Sequence, residues 1–340
     1  MIAHLKVRDP GMHTTLQDLG RFGFQSMGVP VSGALDSISL VLANRLVGNH
    51  DNTAALENLY HGATLEVCAD SVRVALAGSD TPLQVLSNGH RDTIEIPPWH
   101  TVLLRRGQVF RVGAVRGSVC CYLAVAGGFD IPPCLDSLST YVRGAFGGFA
   151  GRALRVGDAL PLVLLNAGDS GDKYLPDPPE LDTQQPLRVV LGPQQHHFTD
   201  EALEIFLSSS YIVSPHSDRM GMRLNGPRLP HRSSYNIVSD AIATGAIQVP
   251  GSGQPIVLLA DHQTTGGYPK IASVISADLP RAGRLRPGDN LRFQAIDLAQ
   301  AEAMRREQVT RLNAMAARLR PVVASREPSN PTQRNTDRTL

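Results

Sequence analysis

The densest group of chemically useful side chains lies on one loop, Asp261-His-Gln-Thr-Thr-Gly-Gly-Tyr-Pro-Lys270. This loop directly follows the apolar segment Ile256 to Ala260, which predicts a buried strand. Catalytic and binding groups are often carried on loops that a rigid scaffold positions. We predict that Asp261 and Lys270 are catalytic, the carboxylate as a base or as the group that orients the lysine.

The residues between these two charges suit the binding of an anionic or amide ligand. Thr264 and Thr265 carry hydroxyl donors, and Gly266 and Gly267 allow backbone N–H groups to approach a ligand closely. With Tyr268 they form the predicted substrate-binding set. The alternative is a tight turn in which Asp261 accepts from backbone amides and the lysine is solvated, and composition alone does not separate the two.

Lys270 is also distinguished by its residue type. The chain has 32 basic residues, of which the lysines are Lys6, Lys173 and Lys270. An ammonium group can lose its proton when buried, whereas a guanidinium practically cannot. Lys6 lies near the N-terminus and Lys173 in a predicted linker, so Lys270 is the lysine for which the sequence indicates a chemical task.

A second polar cluster is Ser214-Pro-His-Ser-Asp-Arg-Met-Gly-Met-Arg223. Asp218 and Arg219 in this cluster are predicted to bind substrate as a charged clamp. An Asx-turn that leads into a strand from Met220 to Leu224 explains the same residues, so both interpretations stay open.

Several familiar motifs are absent from the sequence. It contains neither the GxxxxGK[ST] of a P-loop nor the GxSxG of a nucleophile elbow. The pair His196-His197 has no third ligand nearby, so no metal site is predicted. If the protein takes part in nucleotide-driven chemistry, we expect another chain to bind the nucleotide.

The elements that position these groups are predicted to be mainly strands. Short apolar runs punctuated by Gly, Pro and Asn predict two β-rich domains with few helices. The segment Leu154-Arg-Val-Gly-Asp-Ala-Leu160 is echoed by Leu285-Arg-Pro-Gly-Asp-Asn-Leu291, which favours two related domains. The predicted division is an N-terminal domain over 1–170, a linker over 171–186, a C-terminal domain over 187–296, a helix over 297–321 and a disordered tail over 322–340.

Three helices are predicted, two of them from their caps. Asp36 precedes a helix that ends at Gly48, and Thr199 precedes a second helix. A third is predicted from about Asp297 to Leu319, before Pro321.

Length and composition restrict the class of protein further. The 340 residues carry 32 basic and 31 acidic side chains, which gives a formal net charge of +1 and no basic excess for nucleic acid. The start of the chain lacks the apolar core of a signal peptide, and glycines and prolines interrupt the uncharged stretch 241–260. The four cysteines form no CxxC pair. We therefore expect a cytoplasmic protein that binds neither nucleic acid nor membrane.

Several unusual motifs occur in the order typical of one family, namely residues 14–21, 28–36, 42–49, 217–221, 245–250 and 254–270. Over about residues 5–295, the sequence resembles the allophanate hydrolase subunit 2 family. That family includes the C subunit of the bacterial ATP-dependent 5-oxoprolinase, the Kip antagonist protein and one half of the carboxyltransferase domain of urea carboxylase. The departures are Met222, where an aromatic residue is common, and Phe22, where proline is common.

The resemblance implies two cyclophilin-like β-barrel domains in tandem. It also implies a complex with two further subunits of 5-oxoprolinase, namely the B subunit, which is Kip inhibitor-like, and the A subunit. The implied activity is ATP-dependent hydrolysis of 5-oxo-L-proline to L-glutamate, with the ATP used by the complex and no cofactor bound by this chain alone.

Two other functions stay open. One is an allophanate hydrolase or urea-carboxylase-type carboxyltransferase component, for which biotin would have to come from elsewhere because no biotinyl-lysine segment is present. The other is a non-catalytic regulator that acts by binding a Kip inhibitor-like partner.

Overall fold

A computed structural model describes residues 2–86, 93–168, 170–181 and 184–322. The predicted fold class, mainly β with a few helices, is confirmed. The α-helices of the described part are α1 (Ser37–Val47), α2 (Asp200–Ser208), α3 (Leu279–Ala282) and α4 (Leu298–Ala316).

The strands fall into two groups along the chain, one on each side of the predicted linker. The strands before it are β1 (His4–Asp9), β2 (His13–Gln17), β3 (Ala55–Leu59), β4 (His61–Val67), β5 (Ser71–Ala77), β6 (Leu83–Leu86), β7 (Thr93–Ile96), β8 (Thr101–Arg105), β9 (Val109–Ala114), β10 (Cys120–Val125) and β11 (Ala159–Pro161). Those from the linker onward are β12 (Lys173–Tyr174), β13 (Leu187–Leu191), β14 (Tyr211–Val213), β15 (Gly221–Asn225), β16 (Asp240–Ala241), β17 (Ala246–Gln248), β18 (Ile256–Leu258), β19 (Thr265–Gly266), β20 (Lys270–Val274), β21 (Asn290–Leu291), β22 (Phe293–Ala295) and β23 (Arg320–Pro321).

The N-terminal half contains two antiparallel sheets. Their strand orders are β11-β1-β4-β9-β6-β7 and β2-β3-β10-β5-β8. One apolar core includes inward-facing residues of both sheets, among them Leu5, Leu65, Phe110 and Leu123. Strands β3, β5 and β10 are buried along their whole length. Because α1 packs on β5 and β10, both faces of this sheet are covered.

The C-terminal half is organised around one sheet in the order β21-β14-β15-β18-β17-β20-β13-β22. Its pairs are antiparallel except for β13 with β22, which run parallel. Phe206 of α2 stacks on Phe293 of β22 with ring centroids 4.5 Å apart, so α2 closes over the core of this half.

The internal echo seen in the sequence has a structural counterpart. The Asp158 carboxylate accepts from the Arg155 N–H at 2.7 Å, and Asp289 accepts from the Arg286 N–H at 2.8 Å. The glycines of the two turns, Gly157 and Gly288, have φ of 91° and 92°, a region that favours glycine. Each turn leads into a short strand, β11 or β21, and the two halves therefore repeat this turn.

The capped helices are confirmed. The Asp36 side chain accepts from the N–H groups of Ile38 and Ser39, and Gly48 ends α1 in the left-handed region. Thr199 caps α2 through the Ala202 N–H, and Asp297 and Gln300 form a capping box on α4.

Helix α4 ends earlier than predicted, at Ala316, because the chain then turns and β23 pairs with β12 of the linker. Its residues Leu312 and Met315 pack against the cluster that contains α1 and Leu175. The C-terminal helix therefore returns to the N-terminal half.

The predicted domain boundaries stay a prediction, and the predicted tail beyond residue 322 lies outside the described residues. Within the described ranges, no helix is long and apolar enough to cross a membrane. The same part of the chain holds no group of three His, Cys, Asp or Glu side chains placed to bind a metal ion.

Candidate active site

A cavity of about 290 Å³ lies where the two halves of the chain meet. The N-terminal half contributes the ends of β2 and β3 and the loop that carries Arg143; the C-terminal half contributes the 217–220 turn, Asp261 and the end of α3. Most of the wall is apolar, with a few charged groups. Its polar and charged lining includes His13, Tyr60, Arg143, Asp218, Arg219 and Asp261.

Arg219 is the centre of the charged part of this wall. Its Nε donates to Asp261 Oδ2 at 2.8 Å and its Nη2 donates to Asp261 Oδ1 at 3.1 Å, a bidentate pair. Its Nη1 donates to Glu57 Oε1, and Nη2 also donates to the Gly33 carbonyl at 2.7 Å. Arg219 therefore joins a carboxylate of its own half to a carboxylate and a backbone carbonyl of the other half.

The network continues through the interior of the N-terminal half. The Tyr122 hydroxyl donates to Glu57 Oε2 at 2.7 Å and accepts from the Asp36 N–H at 2.8 Å. The Asp36 carboxylate accepts from Arg284 Nη1 at 2.9 Å, across the interface again. This series, from Asp261 to Arg284, is the interdomain network of the protein.

Local packing explains how α3 approaches this network. A Cβ added to Gly283, at the end of α3, would lie 2.2 Å from the Leu35 carbonyl oxygen. The N–H of Val119 donates to the Arg284 carbonyl at 3.0 Å. Glycine at 283 therefore permits the close backbone contact that brings Arg284 to Asp36.

The carboxylates of the network keep its two buried arginines, Arg219 and Arg284, positively charged. Burial by itself lowers the pKa of Arg219, but the carboxylates of Asp261 and Glu57 outweigh it and raise that pKa above its usual value. Arg284 follows the same pattern, with Asp36 as the opposing carboxylate. Burial raises the pKa of Tyr122 well above its usual value, so its hydroxyl stays a donor.

His13 is the histidine of the cavity wall. Burial lowers its pKa from the usual 6.5, and the positive charge of Arg219 lowers it further, against the carboxylates of Glu57 and Asp261. The ring is therefore neutral near neutral pH and able to accept a proton.

Asp218 plays the local structural role that the sequence left open. Its Oδ1 accepts from the N–H groups of Met220 at 2.9 Å and Gly221 at 3.2 Å, which is an Asx-turn into β15. The residue also lines the cavity and is exposed. The turn places Arg219 so that its side chain points into the interface, where it meets Glu57.

The other end of the 261–270 loop forms a separate cluster. Lys270 starts β20, and its ammonium donates to Asp240 Oδ2 at 3.1 Å and to the Ala241 carbonyl at 3.4 Å. Gln194 Nε2 donates to the same Asp240 oxygen at 3.2 Å. The structure thus gives the two predicted catalytic residues different partners, Arg219 for Asp261 and Asp240 for Lys270.

The predicted binding residues lie between these two clusters. Thr265 and Gly266 form β19, which pairs with β16, and the carbonyls of Thr264 and Gly267 accept from Ile242 and Ile237 at 3.0 and 2.8 Å. The side chain of Tyr268 is exposed. The catalytic and binding roles of the loop residues remain predictions.

Sequence reasoning misses Glu57, Tyr122 and Arg284. Glu57 is a charged residue in the fully buried strand Ala55–Leu59, which is the signal that could identify it, since a buried carboxylate needs a partner. Asp36 is recognisable as a helix cap, but its pairing with Arg284 is not.

The fold and site define a class of protein: a two-part β protein whose halves share a charged, ligand-sized cavity at their junction. Residues 27–295 match the family described as carboxyltransferase domain, subdomain A and B. The chain belongs to this carboxyltransferase domain family.

Curated relatives agree with this assignment. The chain is 35% identical to the 5-oxoprolinase C subunit of Escherichia coli over 315 residues, which cover 93% of this chain and 98% of that protein. It is 33% identical to the protein of the same name from Haemophilus influenzae, over 89% of this chain and 94% of that one. It is also 32% identical to urea amidolyase of Saccharomyces cerevisiae, over 89% of this chain but 17% of that enzyme.

Solved structures show the same fold. The urea amidolyase of K. lactis superposes with a TM-score of 0.83 at 29% identity, covering 92% of this chain and 20% of that one. The protein TTHA0988 superposes with a TM-score of 0.76 at 36% identity, covering 86% of this chain and 56% of that one. The chain therefore spans a fifth of the first structure and about half of the second.

Proposed function

We propose that this chain is the C subunit of an ATP-dependent 5-oxoprolinase that hydrolyses 5-oxo-L-proline to L-glutamate together with the A and B subunits. The observation that carries the proposal is the end-to-end match to the Escherichia coli protein of that name, 98% of whose length is covered. Urea amidolyase, by contrast, is matched over 17% of its length.

The reaction breaks the C–N bond of a cyclic amide. Water adds to the carbonyl carbon, and the ring nitrogen leaves as the amino group of glutamate, with ATP consumed by the complex. In this proposal, the 261–270 loop lines the site of the small substrate, and no cofactor is bound by this chain alone. The complex acts in the cytoplasm.

Roles for the site residues follow from their surroundings. Both Asp261 oxygens accept from Arg219, yet a carboxylate has about four acceptor sites, so Asp261 retains the capacity to accept a proton or a substrate hydrogen bond. Arg219 positions that carboxylate at the cavity wall. At the other end of the loop, Lys270 and the amides of Gly266 and Gly267 stabilise negative charge on a substrate oxygen.

A second candidate is a carboxyltransferase component that handles urea or a urea derivative. The observation that favours it is the TM-score of 0.83 with the urea amidolyase of K. lactis. In that case the same loop would bind a carboxylated group delivered by another protein.

The experiment is ATP hydrolysis by the purified A and B subunits with and without this chain, in the presence of 5-oxoproline, urea or allophanate. The proposal expects hydrolysis that requires this chain and is stimulated by 5-oxoproline. Stimulation by urea or allophanate instead would establish the carboxyltransferase candidate. Complex formation with no substrate-dependent hydrolysis would establish a regulatory binding protein and overturn the proposal.

A further inference from the structure

Residues 232–243, which we call the strap, cover the buried Lys270. The structure describes all of them, and among their side chains Ile242 is the buried one. The most exposed is Val238, at 90% of its free surface. Segments with few buried apolar contacts open at low free-energy cost, so the strap is a part of the C-terminal half that can detach locally.

The strap is held on the 261–270 loop by a small number of polar contacts. Two backbone N–H groups, those of Ile237 and Ile242, donate to carbonyls of the loop. The two-residue strands β16 and β19 pair with each other. Lys270 also donates to two oxygens of the strap, the Asp240 carboxylate, which accepts from Gln194 as well, and the Ala241 carbonyl. At the start of the strap, Arg232 donates to the His197 and Phe198 carbonyls and pairs with Asp200, and at its other end Ile242 packs in a small apolar cluster.

The ion pair between Lys270 and Asp240 is unequal in burial. The Lys270 side chain is 3% exposed, whereas the Asp240 side chain is 53% exposed. A buried ammonium requires a counter-ion, and here the counter-ion comes from the strap and not from the neighbouring strands of the sheet. When the strap lifts, Lys270 loses its partner.

The donors around Asp240 form a receptor for one carboxylate oxygen. Lys270 Nζ at 3.1 Å and Gln194 Nε2 at 3.2 Å both point at Asp240 Oδ2. Lys270 is fixed by β20, and Gln194 is fixed because its Oε1 accepts from the Lys270 N–H at 3.1 Å. The receptor therefore persists when the strap leaves, with two donors and no acceptor.

We propose that Lys270 and Gln194 form an anion site for a small organic carboxylate, and that Asp240 occupies this site as an internal substitute while the strap is closed. Ligand binding then exchanges one carboxylate for another, and the strap opens. The identity of the ligand as 5-oxoproline rests on the proposed function, but the exchange itself does not.

If the two carboxylates exchange, the substitution Asp240→Asn should increase the affinity for the ligand, although it removes a polar contact of the site. Removing the competing carboxylate should tighten binding of 5-oxoproline, by about tenfold if the strap is closed in nine of ten wild-type molecules. A residue that merely positions Lys270 would give weaker binding instead. The matched control is Glu302→Gln, which removes an exposed carboxylate that pairs with Arg306 on α4, outside the strap, and should leave binding unchanged.

A reversible disulfide between the strap and the 261–270 loop tests strap opening without changing the charge of Lys270 or Asp240. A Cβ added to Gly267 would lie 3.7 Å from Ser239 Oγ, so the double variant Ser239→Cys with Gly267→Cys brings two thiols within reach of a disulfide. The oxidised form should lose carboxylate binding, and reduction should restore it.

The measurement is calorimetric titration of the full chain with 5-oxoproline and with acetate, combined with hydrogen exchange at the Ile237 and Ile242 amides. We expect both carboxylates, but not chloride, to accelerate exchange at these amides, and Lys270→Met to abolish the effect. Weaker or unchanged binding in Asp240→Asn, or full binding in the oxidised double-cysteine variant, would overturn the exchange.

If acetate opens the strap while the reconstituted complex does not act on 5-oxoproline, the proposed function fails and the anion site stands. If the complex turns over 5-oxoproline while Asp240→Asn binds it no more tightly, the proposed function stands and the carboxylate exchange fails.

Discussion

Arg219 and Glu57 form an ion pair across the junction of the two halves, 162 residues apart in sequence. Their side chains are 6% and 0% exposed. Since Arg219 also holds Asp261 at the cavity wall, one guanidinium connects the packing of the halves to the geometry of the candidate site.

Replacing Arg219 with methionine should destabilise the protein by about 3–5 kcal/mol, because Glu57 and Asp261 lose the shared cation that compensates their burial. The measurement is the free energy of unfolding from urea titration. The control is Arg306→Met, which removes an exposed helical ion pair with Glu302 and should cost less than about 1 kcal/mol. Equal decreases in the free energy of unfolding in the two variants would show that the interdomain network stabilises the protein no more than an exposed ion pair does.

The hydroxyl of Tyr122 can be tested against that of Tyr211. Both side chains are fully buried, but the Tyr211 hydroxyl has no hydrogen-bond partner. Tyr122→Phe removes one of the donors to the buried Glu57 carboxylate and takes away the acceptor of the Asp36 N–H, and it should cost about 1–3 kcal/mol. Tyr211→Phe should be near neutral. The stabilities of the two variants are compared by thermal unfolding in parallel. A larger loss of stability for Tyr211→Phe than for Tyr122→Phe would contradict the hydrogen-bond assignment.

Lys270→Ala should abolish the activity of the reconstituted complex while leaving assembly intact. The truncation leaves behind Asp240, which is half-exposed and can be hydrated, so no buried charge remains unpaired. Turnover and size-exclusion chromatography of the complex are measured together, with Lys173→Ala as the control lysine. Near-normal turnover in Lys270→Ala would remove Lys270 from the mechanism.

Stability should fall on mild acidification. Burial lowers the pKa of both His13 and His262 from the usual 6.5, so below that pH the unfolded chain binds protons that the folded chain resists. The stabilisation is complete above about pH 6.5 and decreases as pH falls toward the lowered values, by at most about 1.4 kcal/mol per pH unit for each histidine. Urea midpoints at about pH 7.5 and about pH 5.5 test this, with His13→Gln expected to flatten the dependence. Identical midpoints at the two pH values would contradict the burial argument.

The local features of the fold are predictable from the sequence because their causes are local. Asp36, Thr199 and Asp297 each cap a helix through N–H groups two or three residues away. Each of the two repeated Gly-Asp turns likewise lies within a segment of seven residues. The sequence pattern misplaces the end of α4 because that end depends on the pairing of β23 with β12, about 150 residues earlier in the chain.

The site is predictable only in part, for the same reason. The 261–270 loop and Arg219 are recognisable from residue type, but their partners Glu57 and Asp240 are set by long-range packing. Nothing in the spacing of Asp261 and Lys270 indicates that one faces the other half of the chain while the other lies beneath the strap.

The central claim is tested most directly by following labelled 5-oxoproline to labelled glutamate in a mixture of the A and B subunits, ATP and this chain. We predict that glutamate forms, with ADP, only when this chain is present. Glutamate formation at the same rate without the chain, or none with all three proteins present and assembled, would contradict it.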